Sequence, residues 1–496
     1  MEPKLSSQSP CSSKGFATLA IKPRDDEANK NIDMFEHPLL NPVVLDILLA
    51  QLSTPELKKA RFVCRAWGDV GATVLGKRTF LRANKLFRFD GTKLSEPVAV
   101  ADQLVRRLRI SSNFFFDSSV PTQMRGQVIT KVITDVAHQR TQELKVRLDQ
   151  KKHMTAFLTG IRKLESTNLR HVSLKIDIEK SWGSKSPALE KLKDQPNLTS
   201  FKFIQKFGDD YYFTSRSSGY NHLVIQPFFQ IWLDAAPNLT VLKISATSYL
   251  DLERCKSIKV FEFEFIHIPD IPLGDLNLTS VAGMLTQIKD SVVEMKLAYF
   301  TEEIHQHYQK EMLDLPVMPK LVTLAVECIY QIQNSLDETR LPKLKDLTLF
   351  KFHEVSDLTT RQKNPWRRHR GIQSVTMRMQ GTCKWETFSE TMVQLFPSVK
   401  EFHFTWFASY VPIDHVTKFL EPFQGWNLER ADVVLLKKGE PASQTILAGL
   451  RSMATWKGEI KTATFYFNAD RVDFTAHVDD FIRCSEGFAN AGYFAG

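Results

Sequence analysis

Glu303, His307 and Glu311 are the residues whose types and spacing come nearest to chemistry in this chain. At i, i+4 and i+8 they share one helical face, with His305 nearby but pointing elsewhere, and two carboxylates around an imidazole could hold a divalent metal. The same spacing is that of an ordinary solvated helix face, which is the reading the sequence favours. The six cysteines, at 11, 64, 255, 328, 383 and 484, include no CxxC pair, so zinc sites built on that spacing are excluded. Wide scatter without a framework reads as reduced thiols of the cytosol or nucleus. There is no Gly-rich phosphate loop, nucleophile elbow or HExxH, and no histidine pairs in sequence with a nucleophile. The sequence predicts a chain without catalysis and without a cofactor.

If no residue cluster does chemistry, surfaces must do the work, and residues 39 to 67 supply an unusual one. Val44, Leu45, Leu48, Leu49 and Leu52 recur at helical i, i+3, i+4 spacing. Asn41 can cap this first helix, with Pro42 at its first position. Two starts fit the second helix: Ser53 with Glu56 three residues on as a capping box, or Thr54 as cap with Pro55 first. Leu57, Ala60, Val63 and Cys64 then form one face. Trp67 begins or follows a third turn, whose regularity Gly68 and Gly71 should limit, at about 1 kcal/mol each relative to Ala. Three helices this short cannot hide so many apolar side chains among themselves, so a second surface is needed to bury them.

This stretch resembles the F-box, the adaptor-docking motif of cullin-type ubiquitin ligase substrate receptors. Val44, Leu45, Leu48, Leu49 and Leu52 fall on its aliphatic positions. Pro55, Glu56 and Leu57 match its middle, and Val63, Cys64, Arg65 and Trp67 match its Val-Cys-Arg-x-Trp end. The opening departs from the pattern: Asn41 stands where the family has Pro, and Val43 where it has Glu. The resemblance implies docking on a Skp-type adaptor of a cullin–RING ligase through Val44, Leu45, Leu48, Leu49, Leu52, Pro55, Leu57, Val63, Cys64 and Trp67.

The longer C-terminal part repeats a phrase. Pro196-Asn197-Leu198-Thr199-Ser200-Phe201-Lys202-Phe203 returns, as Pro, two or three residues, then alternating apolar positions, at Pro237, Pro319, Pro342 and Pro397. Weaker copies lie at 168–174, 258–263, 292–297, 372–377, 427–433 and 460–465. The alternating end suits a half-buried strand. Amphipathic helical segments precede several copies: Val128 to Val136, Phe157 to Leu164, and Phe228 to Leu233. Helix, turn and short strand in repetition resembles an irregular leucine-rich repeat solenoid, in which stacked neighbours bury what no single unit can. The usual Asn or Cys after the last Leu is missing, with Lys206, Thr247, Ile329, Phe352 and Phe407 in its place.

The fold expected is α/β: a small N-terminal three-helix F-box, then a leucine-rich repeat solenoid. Residues 1–36 read as a disordered tail, 37–80 as the F-box-like helices, 81–100 as linker or cap, and 101–496 as the repeats. The longest gap between phrases, Leu198 to Leu239, holds Tyr211, Tyr212 and Arg216, types frequent at binding hot spots, so this insertion is the candidate substrate contact. Residues 361–370 read as a solvated basic loop, with a nuclear address or acidic-partner patch as the alternative.

Net charge is +9 over 496 residues. The expected outward strand positions mix signs, with Lys202, Lys243 and Lys296 against Glu262, Glu264, Asp346 and Glu401, which argues against a nucleic-acid groove. No apolar run approaches the roughly 18 residues that would span a membrane, and the N-terminus has no secretory pattern. The Asn-Leu-Thr triplets at 197, 238 and 277 are then expected to be unglycosylated. A cytoplasmic or nuclear receptor subunit, holding a protein substrate on its repeats, is the function these features imply. A ligase-independent repeat scaffold that binds a protein or acidic partner is the alternative, with the N-terminal helices as its cap.

Overall fold

Alternation dictates the strands. In the computed structural model, the phrase at Pro196 makes a turn, buries Leu198, and runs on as a strand with Phe201 and Phe203 inside and Lys202 and Lys206 outside. The copies at Pro237, Pro319, Pro342 and Pro397 repeat this, each burying the aliphatic residue after the turn and alternate strand residues beyond it. The structure describes residues 38–87, 95, 100–111, 122–137, 140–164, 168–178, 190–207, 225–266, 276–300, 313–328, 336–352, 368–380, 386–407, 413–436, 447–449, 451–453, 456 and 462–468.

The chain divides into two compact units, one ending at Val74 and one starting at Leu75. The first holds a short 3-10 turn, Pro38–Leu40, then α1 (Pro42–Gln51), α2 (Thr54–Ala60) and the start of α3 (Arg65–Arg78). The expected irregular third turn is instead one continuous helix through Gly68 and Gly71. These glycines admit a close neighbour. A Cβ on Gly71 would meet the Arg61 side chain at 2.6 Å and Leu49 at 3.6 Å, so the missing side chain is what lets Arg61 lie across the helix.

The second unit is α/β and contains one open, parallel, 14-stranded sheet whose strands follow chain order. The strands are β1 (Leu81–Arg82), β2 (Arg107–Ser111), β3 (Glu143–Leu148), β4 (His171–Ile178), β5 (Ser200–Phe207), β6 (Val241–Ala246) and β7 (Val260–Ile266). They continue with β8 (Glu294–Phe300), β9 (Thr323–Glu327), β10 (Asp346–Phe352), β11 (Ser374–Gln380), β12 (Glu401–Phe407), β13 (Arg430–Leu436) and β14 (Thr462–Asn468). β1 lies in the stretch expected as linker or cap, where Ala83, Leu86 and Phe87 also join the core.

Parallel strands need a return path between them, and several returns carry helices. These include α4 (Thr122–Lys131), α5 (Lys151–Lys163), α6 (Gln226–Ala235), α7 (Leu278–Ile288), α8 (Glu386–Leu395) and α9 (Ile413–Leu420). The expected helices around residues 128, 157 and 228 are therefore present, the first continuing into a π-helical turn at Val132–Val136.

A row of backbone carbonyls binds each turn of chain to the next. The Arg170 carbonyl accepts N–H bonds from Thr199 at 3.0 Å and Ser200 at 2.9 Å. The Thr199 carbonyl accepts from Thr240 at 2.9 Å and Val241 at 3.0 Å. The same double acceptance recurs, strand after strand, from Gln142 to Lys400. This row links successive turns without the missing Asn side chains. Side-chain links add to it: buried Gln205, for example, donates from Nε2 to Thr247 Oγ1 at 3.3 Å, and its Oε1 accepts from Thr247 N at 3.3 Å. Buried His369 stitches two further turns. Its Nδ1 accepts from Gly371 N at 3.1 Å, so the proton sits on Nε2, which faces the Leu341 carbonyl at 3.0 Å.

The core is rich in aromatic rings. Fully buried Trp232 lies between Phe157 and Phe201, with ring centroids at 5.8 and 5.9 Å. Its indole N–H has no hydrogen-bond acceptor among the described residues. The ring's value is therefore packing alone. Trp232→Ala is expected to lower stability by about 3–5 kcal/mol. Trp232→Phe, which keeps a ring and removes an unsatisfied donor, is expected to cost under about 1.5 kcal/mol. Chemical denaturation of the two variants beside wild type checks the contrast.

Candidate functional site

The N-terminal helices hold together by caps and one long-range bond. Asn41 caps α1, its side chain accepting from Val43 N at 2.9 Å. Ser53 caps α2, so Thr54 is the first helical residue and Pro55 the second. Glu56 reaches back, its Oε2 accepting from Ser53 N at 2.9 Å and Ser53 Oγ at 2.7 Å. The half-buried Trp67 indole on α3 donates to the Leu39 carbonyl at 3.1 Å and so ties α3 to the segment entering α1.

This frame sorts the expected docking residues into three groups. Leu45, Leu49 and Leu57 are 0% exposed. They form the interior of the unit rather than its contact surface, because α1 turns this edge inward toward its neighbours. Val44, Leu52 and Trp67 are half-buried. Leu48, Pro55, Val63 and Cys64 are exposed. Four further apolar residues, absent from the sequence expectation, are exposed beside them in sequence: Leu39, Val43, Ile47 and Phe62. Among the described residues, six of the seven exposed large hydrophobics fall between Leu39 and Val63, the seventh being Val317, and Phe62 is 90% exposed. Val43 and Ile47 stand one helical turn apart on α1. Their spacing was visible in the sequence, but the aliphatic pattern of Leu45 and Leu49 masked it.

The sheet offers the second surface. Outward residues alternate with the buried ones, and the parallel pairing lines them up in rows across the strands. Many are charged and paired across strands: Arg107 with Glu143 at 2.6 Å, Arg147 with Asp177, Lys243 with Glu262 at 2.6 Å, and Lys296 with Glu327 at 3.1 Å.

Other expected sites fall elsewhere. Tyr211, Tyr212 and Arg216 lie outside the described residues, as do Glu303, His307 and Glu311 and most of the basic loop at 361–370. Among the described residues no group of three or more His, Cys, Asp and Glu could hold a metal ion. The described cysteines are free thiols. Cys64 is exposed, while burial pushes the Cys255 thiol up to about 11, which makes it a poor nucleophile. Asn277 caps α7, its Oδ1 accepting from Ser280 N at 2.8 Å. No helix among the described residues is long and apolar enough to cross a membrane. No protein-family model matches the chain, and no curated protein matches it.

The cap on α2 is charge-dependent. Hydrogen bonds from Ser53 Oγ and then Ser53 N hold the Glu56 carboxyl below its ordinary value of 4.5. A carboxyl with a lowered folded-state pKa contributes stability above its unfolded value, and that contribution is lost as pH falls through the folded value. The Ser53 amide resonance is therefore expected to titrate below pH 4.5, as the cap lets go. In Glu56→Gln, which keeps an acceptor but no charge, the same resonance should stay flat with pH. A flat wild-type signal would mean that the Glu56 charge does not hold the cap.

Proposed function

We propose that this chain is the substrate-recognition subunit of an SCF-type ubiquitin ligase, an F-box protein whose sheet belongs to an irregular leucine-rich repeat solenoid. The observation that carries the reading is the concentration of exposed apolar side chains on the N-terminal helices, in the stretch that resembles the F-box. An exposed apolar surface this dense costs solubility unless a partner covers it. Leu48 and Val63 fit both the family pattern and an exposed position. Val43, Ile47 and Phe62 extend the surface. Leu45, Leu49 and Leu57 serve by holding the helices together beneath it.

The repeat reading rests on the recurring turn, the buried aliphatic residue after it, and the strand that pairs in parallel with its predecessor. A surface built this way suits a protein partner. The chain's part in ubiquitin transfer would be proximity: it holds a substrate so that its lysines meet a charged conjugating enzyme supplied by other subunits, at raised effective concentration. No residue of this chain needs to touch the reacting atoms. A ligase-independent scaffold is the second reading, with the N-terminal helices as cap to the repeats.

Purified chain with the Skp-type adaptor tests the proposal. Ile47→Asp/Leu48→Asp replaces exposed positions and leaves buried Leu49 untouched, so the fold should survive. Stoichiometric capture by wild type, and a loss of at least about tenfold in affinity in the variant at unchanged Tm, is the expected result. No capture by wild type overturns the ligase reading. Removal of residues 1–74 separates the two readings further. The receptor reading expects the remaining unit to keep its far-UV spectrum and cooperative melting, and the cap reading expects it to unfold.

A further inference from the structure

The charges on the open face of the sheet are sorted along the strand order. One outward row runs Arg109, Lys145, Ser173, Lys202, Lys243 over β2 to β6, each residue the register partner of the next. The next row adds Arg147 and Lys175, and beyond it Lys206. The acids outward on these five strands are Glu143 and Asp177. From β7 the balance reverses: Glu262, Glu264, Glu294, Glu327, Asp346 and Glu401 outnumber Lys296, Arg378 and Arg430.

Like charges directly opposed across strands are destabilising. The row nevertheless sets Arg109 against Lys145, and Lys202 against Lys243. The available carboxylates are already engaged. Glu143 is bound by Arg107 at 2.6 Å and stands 3.8 Å from Lys145. Asp177 is taken by Arg147, and Glu262 by Lys243 at 2.6 Å. Arg109, Lys202 and Lys206 are exposed, and no carboxylate among the described residues is within ion-pair distance of them. Lys206 faces Asp177 in register, but Arg147 already holds that carboxylate. Exposed cations left without a carboxylate partner are what a surface shows when an external anion completes it.

We infer that the open face of β2 to β6 is the docking site for an acidic segment of a protein partner, centred on Arg109, Lys202 and Lys206. This rests on the reading of the sheet as the partner-binding surface. Five strands about 4.8 Å apart span about 19 Å, the reach of about six residues of extended chain. The two embedded acids, and the carboxylates that begin at Glu262 on the neighbouring strand, set the chemistry of the occupant. A polyphosphate, charged along its whole length, would run into them. A peptide whose acidic run ends there, followed by neutral or basic residues, matches both halves.

The experiment is a fluorescence-anisotropy titration of the full chain with a labelled oligoglutamate peptide, at low salt and again at physiological salt, where the screening length falls to about 8 Å. Wild type is expected to bind, and to bind more weakly as salt rises. Arg109→Glu/Lys202→Glu/Lys206→Glu is expected to weaken binding at least about tenfold. Glu264→Lys/Glu401→Lys, on the other half, should leave binding equal or tighter. Circular dichroism and Tm establish that each variant is folded, and Arg109→Ala/Lys202→Ala/Lys206→Ala, with a smaller loss, serves if the reversal does not fold. No binding by wild type, or equal binding by the folded triple variant, overturns the inference. So does an oligothymidylate of equal charge that displaces the peptide and binds tighter, which would make the face a nucleic-acid site. Adaptor capture, measured on the same preparations, separates the two ideas. Capture without peptide binding removes only the acidic-segment site, and peptide binding without capture removes only the ligase reading.

Discussion

The double acceptance of N–H bonds by one carbonyl per turn is the constraint on which the large unit depends. A parallel strand cannot be satisfied by a hairpin partner, so each turn of chain must find its backbone partners in the turn before it. From Gln142 to Lys400 that requirement is met at the same place in every turn, just ahead of the strand. Once it is met, the register of the following strand is set, and with it the side on which every residue falls. The buried column of Phe, Leu, Ile and Met, the aromatic stacks around Trp232 and Phe402, and the outward rows of charge all follow from that one alignment.

How much of this was legible in the sequence depends on the range over which each feature acts. Strands depend on neighbours two residues apart, and the phrases at Pro196, Pro237, Pro319, Pro342 and Pro397 each became one. Weaker copies such as that at 460–465 did too, offset by a few residues. The capping box at Ser53 and Glu56 is equally local, though the sequence alone could not separate it from a start at Thr54. Features that depend on distant packing were harder to read. Gly68 and Gly71 looked like helix weakeners, because what they make room for comes from outside the helix: the Arg61 carbonyl beside Gly68 and the Arg61 side chain across Gly71.

The two surfaces show the same limit. A helical pattern announces a surplus of apolar residues on α1, yet it does not say which stripe faces inward. Leu45 and Leu49 match the family pattern and are buried, whereas Val43, at a position where the pattern has Glu, is exposed. The charge rows were hidden for a different reason. Most strands contribute one or two charged residues, β3 three and β14 none, so along the chain the signs look mixed. Only the parallel register places Lys202 beside Lys243, and both on the same half of the sheet as Arg109.

The stepwise register also separates the sheet from the lengths of the segments that link its strands. Ser200 pairs with Val241, 41 positions on, while Val241 pairs with Val260, 19 positions on, and the rungs are alike. A doubling of loop length costs only about 0.6 kcal/mol in closure entropy. Crossovers can therefore grow or shrink while the strands they connect stay in place. The molecule works as a fixed rack with exchangeable fittings, on which new sequence can be tried at a crossover while the backbone rungs continue to define the face.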